Sequence, residues 1–262
     1  MMGRPTRPGT MLDTILVIPC YNEAERLDGA AIDAFLEKAP YAELLFVDDG
    51  STDDTAGVVA RLAVAHPGRI ETLRLEPNRG KAEAVRQGLL AAAKKPVASI
   101  GFWDADFSTP LTEVHAFRAC LMDRPEIEMV FGARVNLLGR DVRRKLIRHY
   151  VGRTFATLAA FVLGLGIYDT QCGAKLFRNT PDIVGLFAEP FISRWIFDVE
   201  LIARLIRARG RTGERAAADV ICECPLHIWH EKRGSKLRLW DFIRMHFDLL
   251  RIVWHYRKRG GR

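Results

Sequence analysis

The sequence predicts an α/β fold with a mostly parallel central sheet flanked by helices. Three observations predict it. Up to residue 133, short β-branched or apolar runs alternate with longer helical patterns, polar turns separate the two, and several of the apolar runs end in carboxylates. Strands that alternate with helices of this length form βαβ units, which set neighbouring strands parallel and cover the sheet on both faces.

The elements follow in order. Leu12–Pro19, Glu43–Asp48, Ile70–Leu75, Val97–Asp104 and Glu126–Ala133 are predicted strands, because each is a short apolar run bounded by polar or turn residues. Glu23–Lys38, Asp53–His66, Gly80–Lys94 and Leu111–Met122 carry the helical repeat between them, with Ser51 and Asp53 as N-cap candidates for the second. Beyond Ala133 the pattern changes. Arg134 to Arg153 holds seven bases (Arg134, Arg140, Arg143, Arg144, Lys145, Arg148, Arg153) against one acid, Asp141, a net +6 where the whole chain carries +7. A helical pattern then runs to about Leu165, followed by a strand over Thr170–Arg178, a helix over Phe197–Arg209 and a strand over Val220–Trp229. From Leu239 to about Arg257 the sequence is amphipathic: Ile243, Phe247, Leu250 and Trp254 form one stripe, and Asp241, Arg244, Asp248, Arg251 and His255 lie opposite. The expected organisation is a flexible tail over 1–10, one catalytic-type domain over 11–238 with halves 11–133 and 134–238, and an amphipathic helix over 239–262.

Composition narrows the class. With 262 residues, 48% hydrophobic and 27% charged, the chain is neither disordered nor a multi-span membrane protein. Five scattered cysteines argue against a disulfide framework and for a reducing compartment. No secretory signal is legible, and Thr154–Ile167, its longest nearly uncharged stretch, would reach only about 21 Å as a helix, short of the roughly 30 Å of a bilayer core.

In open parallel sheets, ligands sit beyond the carboxyl ends of the strands. Here those ends read Pro19-Cys20-Tyr21-Asn22-Glu23, Val47-Asp48-Asp49-Gly50-Ser51-Thr52-Asp53 and Trp103-Asp104-Ala105-Asp106. Several acids on one edge repel one another unless a cation compensates, and the natural compensator is a hard divalent ion, Mg²⁺ or Mn²⁺, that retains substrate phosphates in its shell. Asn78-Arg79-Gly80-Lys81 opens the next helix with a glycine and two bases, a phosphate or nucleotide contact.

The ordered set PCYNE, VDDGSTD, NRGKA and DAD resembles the family 2 glycosyltransferases, whose fold is the Rossmann-like GT-A nucleotide-diphospho-sugar transferase fold. The later segments DTQCGAKLF (169–177), RWIFDVEL (194–201) and GSKL (234–237) resemble the dolichyl-phosphate glucosyltransferase branch within a group that acts on polyprenyl phosphates. The resemblance spans about Leu12 to Leu237. It implies an inverting hexosyl transfer, with UDP-glucose as donor. It assigns Pro19, Tyr21, Asn22 and Glu23 to the nucleotide pocket, Asp48 and Asp49 to uracil or ribose, and Lys81 to a further nucleoside contact. Asp104, Ala105 and Asp106 become the D-x-D segment, with Asp106 as metal ligand. In mannosyl relatives a Gln two positions after the second Asp completes the metal shell; Ser108 stands there in this chain.

Lys236, in the loop Arg233-Gly234-Ser235-Lys236, is the candidate closing cation on the departing diphosphate. A phosphate acceptor is already ionised and needs cations rather than a base. Arg134, Arg144 and Arg148 are the candidates, the last two sharing a helical face. Asp198 and Glu200 are candidates for a base or for positioning the sugar, with salt bridges to Arg194 or Arg204 as the structural alternative. Basic and apolar surfaces side by side fit an anionic membrane surface and a peripheral protein on its cytoplasmic face.

Two other readings of the residues lead elsewhere. Cys222, Cys224, His227 and His230 resemble a zinc set, but alternation in a strand points the cysteines one way and His227 the other. The positive charge also raises nucleic acid, which an acidic strand-end pocket would repel. The functional alternatives are a family 2 transferase using a hydroxyl acceptor and an inactive nucleotide-sugar-binding scaffold. Oligomeric state is open.

Overall fold

Alternation along the first strand sets the architecture. In β1 (Thr14–Cys20), Ile15 and Val17 enter one core while Leu16 and Ile18 enter another on the opposite face of the sheet. A strand buried on both faces belongs at the centre, and the computed structural model places β1 there. It describes residues 13–143, 146–213, 215–232 and 239–258, excluding the side chains at 146–151, 239–243 and 257–258. The expected tail 1–10, Arg144, the loop holding Lys236 and the side chain of Arg148 lie outside the described residues.

The remaining strands are β2 (Ala42–Asp48), β3 (Ile70–Arg74), β4 (Ser99–Trp103), β5 (Met129–Ala133), β6 (Asp141–Arg143), β7 (Ala174–Arg178), β8 (Ile221–Pro225) and β9 (Ile228–His230). Six of them join β1 in one seven-stranded sheet of order β3-β2-β1-β4-β7-β5-β8, and β6 pairs with β9 apart from it. All pairings in the large sheet are parallel except those of β7, which runs antiparallel to both β4 and β5. The order reverses between β1 and β4, the switch point where a crevice opens at the strand ends. Because β7 is inverted, its start lies at that same edge, with Ala174 opposite Trp103.

Helices α1 (Gly29–Lys38), α2 (Thr55–Ala65), α3 (Lys81–Ala92), α4 (Val114–Asp123), α5 (Leu146–Leu163), α6 (Pro181–Gly185), α7 (Phe197–Thr212), α8 (Ala217–Val220) and α9 (Leu239–Lys258) complete the chain, with a short 3₁₀ turn over Leu111–Glu113. One core joins α3 and α7 to the sheet through Val85, Leu89, Phe197 and Leu201; the other joins α1 and α4 through Phe35, Leu36, Phe117 and Leu121. A third cluster links α5, α7 and α9 through Phe155, Ala159, Val199, Met245, Leu249 and Ile252.

The expected elements need four corrections. The helix expected from Glu23 begins at Gly29, because Asp28 caps the Ala31 N–H while Asn22, Glu23 and Ala24 bond instead to Ser51, Thr55 and Asp53. Ser51 therefore receives Asn22 N–H and does not cap α2, whereas Asp53 does accept from Thr55 N–H. The single strand expected over Val220–Trp229 is two, broken after Pro225, where Glu113 accepts from the N–H groups of His227 and Ile228. On α9 the buried stripe is Met245, Leu249 and Ile252, and the expected stripe Phe247, Leu250 and Trp254 faces outward. Among the described residues no helix is long and apolar enough to cross a membrane.

Candidate active site

The β1 and β2 ends are tied together before any ligand enters. Asn22, in the left-handed region with φ of 52°, accepts from Thr52 N–H at 2.8 Å and donates its own N–H to Ser51 Oγ at 3.0 Å. Phe107, at 47°, is also a non-glycine residue with positive φ and closes the turn after Asp106. Among the described residues, both of these costly backbone conformations flank the crevice. Pro19 lacks an N–H, and the β1–β4 ladder ends at Val17–Phe102, so the strand ends diverge there.

Asp49 organises the next wall. Its carboxylate accepts from Arg79 N–H at 2.8 Å and Gly80 N–H at 2.7 Å, and its carbonyl accepts from Asn78 at 2.8 Å. Burial pushes its pKa up, against the pull of those two amides. The carboxylate holds the loop that opens α3. Gly80, at φ 92°, permits the turn and packs under Arg194, whose Cδ would lie 3.2 Å from an added Cβ. Asp48 accepts from Ser51 N–H and is buried, while Tyr21 is 39% exposed at the mouth.

Four acid–base pairs line the floor. Lys81 Nζ lies 2.5 Å from Asp104 Oδ1, with about a third of each side chain exposed (33% and 37%). Burial works against the lysine's charge, but Asp104, with Asp198 and Asp106 behind it, outweighs that and raises its pKa. Asp106 accepts from Ser108 N–H at 2.9 Å and faces Arg26 at 3.4 Å; Arg26 also contacts Glu23 at 3.1 Å. Lys175, fully buried on β7, places Nζ 2.6 Å from both Asp198 Oδ1 and the Cys172 carbonyl, between the rings of Phe102 and Phe131. Burial raises the pKa of Asp198 in spite of Lys175 and Lys81. Arg134 makes a two-pronged bond to Asp169 at 2.7 and 2.8 Å, and Asp169 is itself held by Glu223 through its N–H.

The structure thus brings together Pro19, Tyr21, Asn22, Glu23, Asp48, Asp49, Lys81, Asp104, Ala105, Asp106 and Asp198. It does not bring Glu200. Two positions beyond Asp198 on α7, Glu200 turns to the other side of the helix, is fully buried, and fills both oxygens with Arg204, Tyr256 and the Ile192 N–H. It is a structural acid, the salt-bridge alternative. The zinc-like set is also dispersed: Cys222 and Cys224 pack on the core, whereas His227 and His230 pair with Glu113 and Asp141.

Sequence reasoning missed Arg26, Gly173 and Lys175 as parts of the site. Gly173 donates no side chain but leaves room for one: a Cβ there would stand 2.0 Å from Asp104 Oδ2. The signal for Lys175 was present, since alternation along Ala174–Phe177 puts it on the same buried face as Phe177.

A divalent cation fits the D-x-D residues. Mg²⁺ and Mn²⁺ are held by one or two carboxylates plus substrate phosphates rather than by an all-protein cage. Asp104 and Asp106 are two such oxygen donors on one turn, partly open, each held by a cation of the chain that a metal would displace. Ser108 is buried, and its N–H orients Asp106.

A switch-point crevice with carboxylates on the β1, β2 and β4 ends defines a nucleotide-sugar transferase of GT-A type, and the chain belongs to the Glycosyl transferase family 2, whose sequence profile matches residues 15–184. Within that family it is similar to dolichyl-phosphate beta-glucosyltransferases. The Saccharomyces cerevisiae protein is 33% identical over 263 residues, covering 92% of this chain and 74% of its own. The Trichomonas vaginalis ALG5C protein is 32% identical over 93% of this chain and 72% of its own, and the Homo sapiens protein 31% over 92% and 75%. Among solved structures, glucosyl-3-phosphoglycerate synthase from Mycobacterium tuberculosis, in complex with Mn²⁺, UDP-glucose and phosphoglyceric acid, superposes with a TM-score of 0.65. That match has 16% identity and covers 96% of this chain and 85% of that one, a likeness of fold.

Proposed function

We propose that the protein transfers glucose from UDP-glucose to a polyprenyl phosphate of the dolichyl type, with inversion at the anomeric carbon. The observation that carries the proposal is the pairing of the two D-x-D carboxylates with partly exposed cations, Lys81 on Asp104 and Arg26 on Asp106, beside the Asp49-built nucleotide loop. The similarity to dolichyl-phosphate beta-glucosyltransferases over more than nine-tenths of the chain supports the donor and acceptor.

Asp106, with Asp104 beside it, would hold Mg²⁺ or Mn²⁺, which when bound neutralises charge gathering on the departing diphosphate. Pro19, Tyr21, Asn22, Glu23 and Asp48 wall the nucleoside, and Asp49 fixes the loop that presents Lys81. Released from Asp104, Lys81 is placed to meet a phosphate oxygen, and Lys236 is assigned the closing contact. Asp198, clamped by Lys175, positions the sugar. It is poorly suited to take a proton from an alcohol, because one of its oxygens is already committed to an ammonium group. A phosphate monoester needs no such base, which favours it over a hydroxyl acceptor. Arg134, with Asp169 holding two of its nitrogens, retains a further N–H face for that phosphate, and Arg144 and Arg148 are assigned beside it. The protein works at the cytoplasmic face of a membrane as a peripheral enzyme.

The test incubates the purified chain with UDP-glucose, Mg²⁺ or Mn²⁺ and a short polyprenyl phosphate, and follows glycolipid by mass spectrometry. Formation of the glucosyl lipid, abolished in Asp106→Ala, is expected. Turnover only with a water-soluble hydroxyl acceptor would overturn the lipid assignment, and metal-dependent UDP binding without any transfer would favour the scaffold reading.

A further inference from the structure

Helix α9 carries two apolar stripes. Met245, Leu249 and Ile252 close the third core against α5 and α7. The second, Phe247, Leu250 and Trp254, follows the i, i+3, i+7 spacing of one helix face and stays 63%, 63% and 61% exposed. Large apolar side chains this exposed and this aligned mark an interaction surface.

Two cavities show what kind. Phe247, Leu250, Trp254 and His255 line a groove of about 520 Å³ that also touches Ile192 and Arg251. Those last two residues are shared with a second cavity of about 370 Å³, lined by Arg194, Trp195, Arg244 and Asp248. The second cavity thus sets three guanidinium groups against one carboxylate. Asp248 is buried, accepts from Ser193 Oγ at 2.6 Å and lies 3.5 Å from Arg251, so it offsets part of one arginine. The sequence adds Arg257, Lys258 and Arg259 at the helix end.

We infer that this face of α9 seats the protein on an anionic bilayer, with Phe247, Leu250 and Trp254 entering the acyl boundary and the Arg194–Arg244–Arg251 cavity receiving a lipid phosphate. An apolar stripe flanked by cations is the pattern of an interfacial helix, and arginine forks match phosphate oxygens. A second copy of this chain is a poorer occupant, because two such faces would bring like charges together. The inference rests on the lipid-acceptor reading for its purpose, since a bilayer-borne acceptor requires an enzyme held at the surface, but it is measured without that reaction.

The experiment measures partition of the full chain onto vesicles by sedimentation, comparing equal parts phosphatidylglycerol and phosphatidylcholine with phosphatidylcholine alone. Wild type should prefer the anionic vesicles. R244E/R251E should lose about 30-fold or more of that preference, taking each basic residue near the surface as worth about a factor of five. F247S/L250S/W254S should lose partition by at least about tenfold on both vesicles. Thermal midpoints close to wild type would show that the variants fold. Variants that partition like wild type would overturn the inference, as would a wild-type dimer that the triple variant dissolves while no vesicle binding occurs. Transfer to a short-chain polyprenyl phosphate, assayed without vesicles, separates the two proposals. Vesicle binding without transfer leaves this surface standing and removes the lipid-acceptor reading; transfer without vesicle binding does the reverse.

Discussion

Lys175→Met tests the least negotiable contact of the site. Methionine keeps the apolar stem between Phe102 and Phe131 and deletes the ammonium group, leaving Asp198 buried with its nearest counter-charge gone. Breaking a buried ion pair from one side costs about 3–5 kcal/mol. That is a large share of the roughly 5–15 kcal/mol by which a domain is stable. At about 2–4 °C per kcal/mol for a domain of this size, the melting midpoint should fall by roughly 6–20 °C.

Urea unfolding of K175M, D198N and the double variant supplies the assay. Both single changes strand a buried partner, so the double variant should recover about 1–3 kcal/mol relative to the sum of the singles. Acidity adds a second readout. The native state already holds the Asp198 proton to higher pH than the unfolded chain, because burial raises its pKa. Between the ordinary carboxylate value and that raised one the native state binds more protons, so stability falls as pH rises through the window. Removing Lys175 raises the native value further, so K175M should regain stability on acidification more steeply than wild type. Single variants within about 1 kcal/mol of wild type, additive and without that slope, would refute the pair as a structural clamp.

Gly173→Ala drives a methyl group into Asp104, and a displacement of about 1 Å at a reacting centre costs roughly 100-fold, so kcat should fall about that far while far-ultraviolet dichroism stays native. Arg26→Gln frees Asp106 of a partly exposed pair worth about 1 kcal/mol or less, so calorimetry with Mn²⁺ alone should show binding tightened by up to about fivefold; unchanged or weaker binding would contradict the competition. Glu200→Gln should cost about 3 kcal/mol of stability in urea while kcat per folded molecule stays within about twofold, because among the described residues Glu200 bonds to Arg204, Tyr256 and the Ile192 backbone, on the far side of α7 from the crevice.

Local pattern made the first half of the fold legible. Apolar runs and helical repeats alternate cleanly from Thr14 to Ala133, and the acids at the strand ends stand out against them. What sequence spacing could not show is set by contacts between distant residues. The stretch Glu23–Asp28 reads as the start of a helix until Thr55 and Asp53, some 30 positions away, take the N–H groups of Glu23 and Ala24. The inversion of β7 leaves no mark in its own residues, since a strand buried on both faces has the same pattern in either direction. On α9 both apolar stripes are present in the sequence, and only the packing of Met245, Leu249 and Ile252 on the third core decides which faces outward. Lys175 was overlooked for a related reason: a lysine in a strand reads as solvent-facing until its partner, 23 residues on, is brought beneath it.

The four acid–base pairs at the crevice are alike in chemistry and unlike in what it costs to open them. Lys175 is 0% exposed and Arg134 15% at the side chain, whereas Arg26 and Lys81 are 28% and 33%. Opening a pair that water already reaches costs about 1 kcal/mol or less, while stranding a buried one costs several times that. On the proposed function, Asp106 would hold the donor's divalent cation while Arg26 and Lys81 would turn to phosphate oxygens, so charge in these two pairs could be exchanged without any group being left bare. Lys175–Asp198 has no comparable exchange, and Arg134–Asp169 is two-pronged and anchored through Glu223, so both would hold their geometry through that proposed exchange. On that reading the crevice would divide into a part that yields to the donor and a part that does not. The antiparallel β7 makes this possible by bringing Lys175 and the Asp169–Gly173 loop to the edge where the parallel strands deliver their acids.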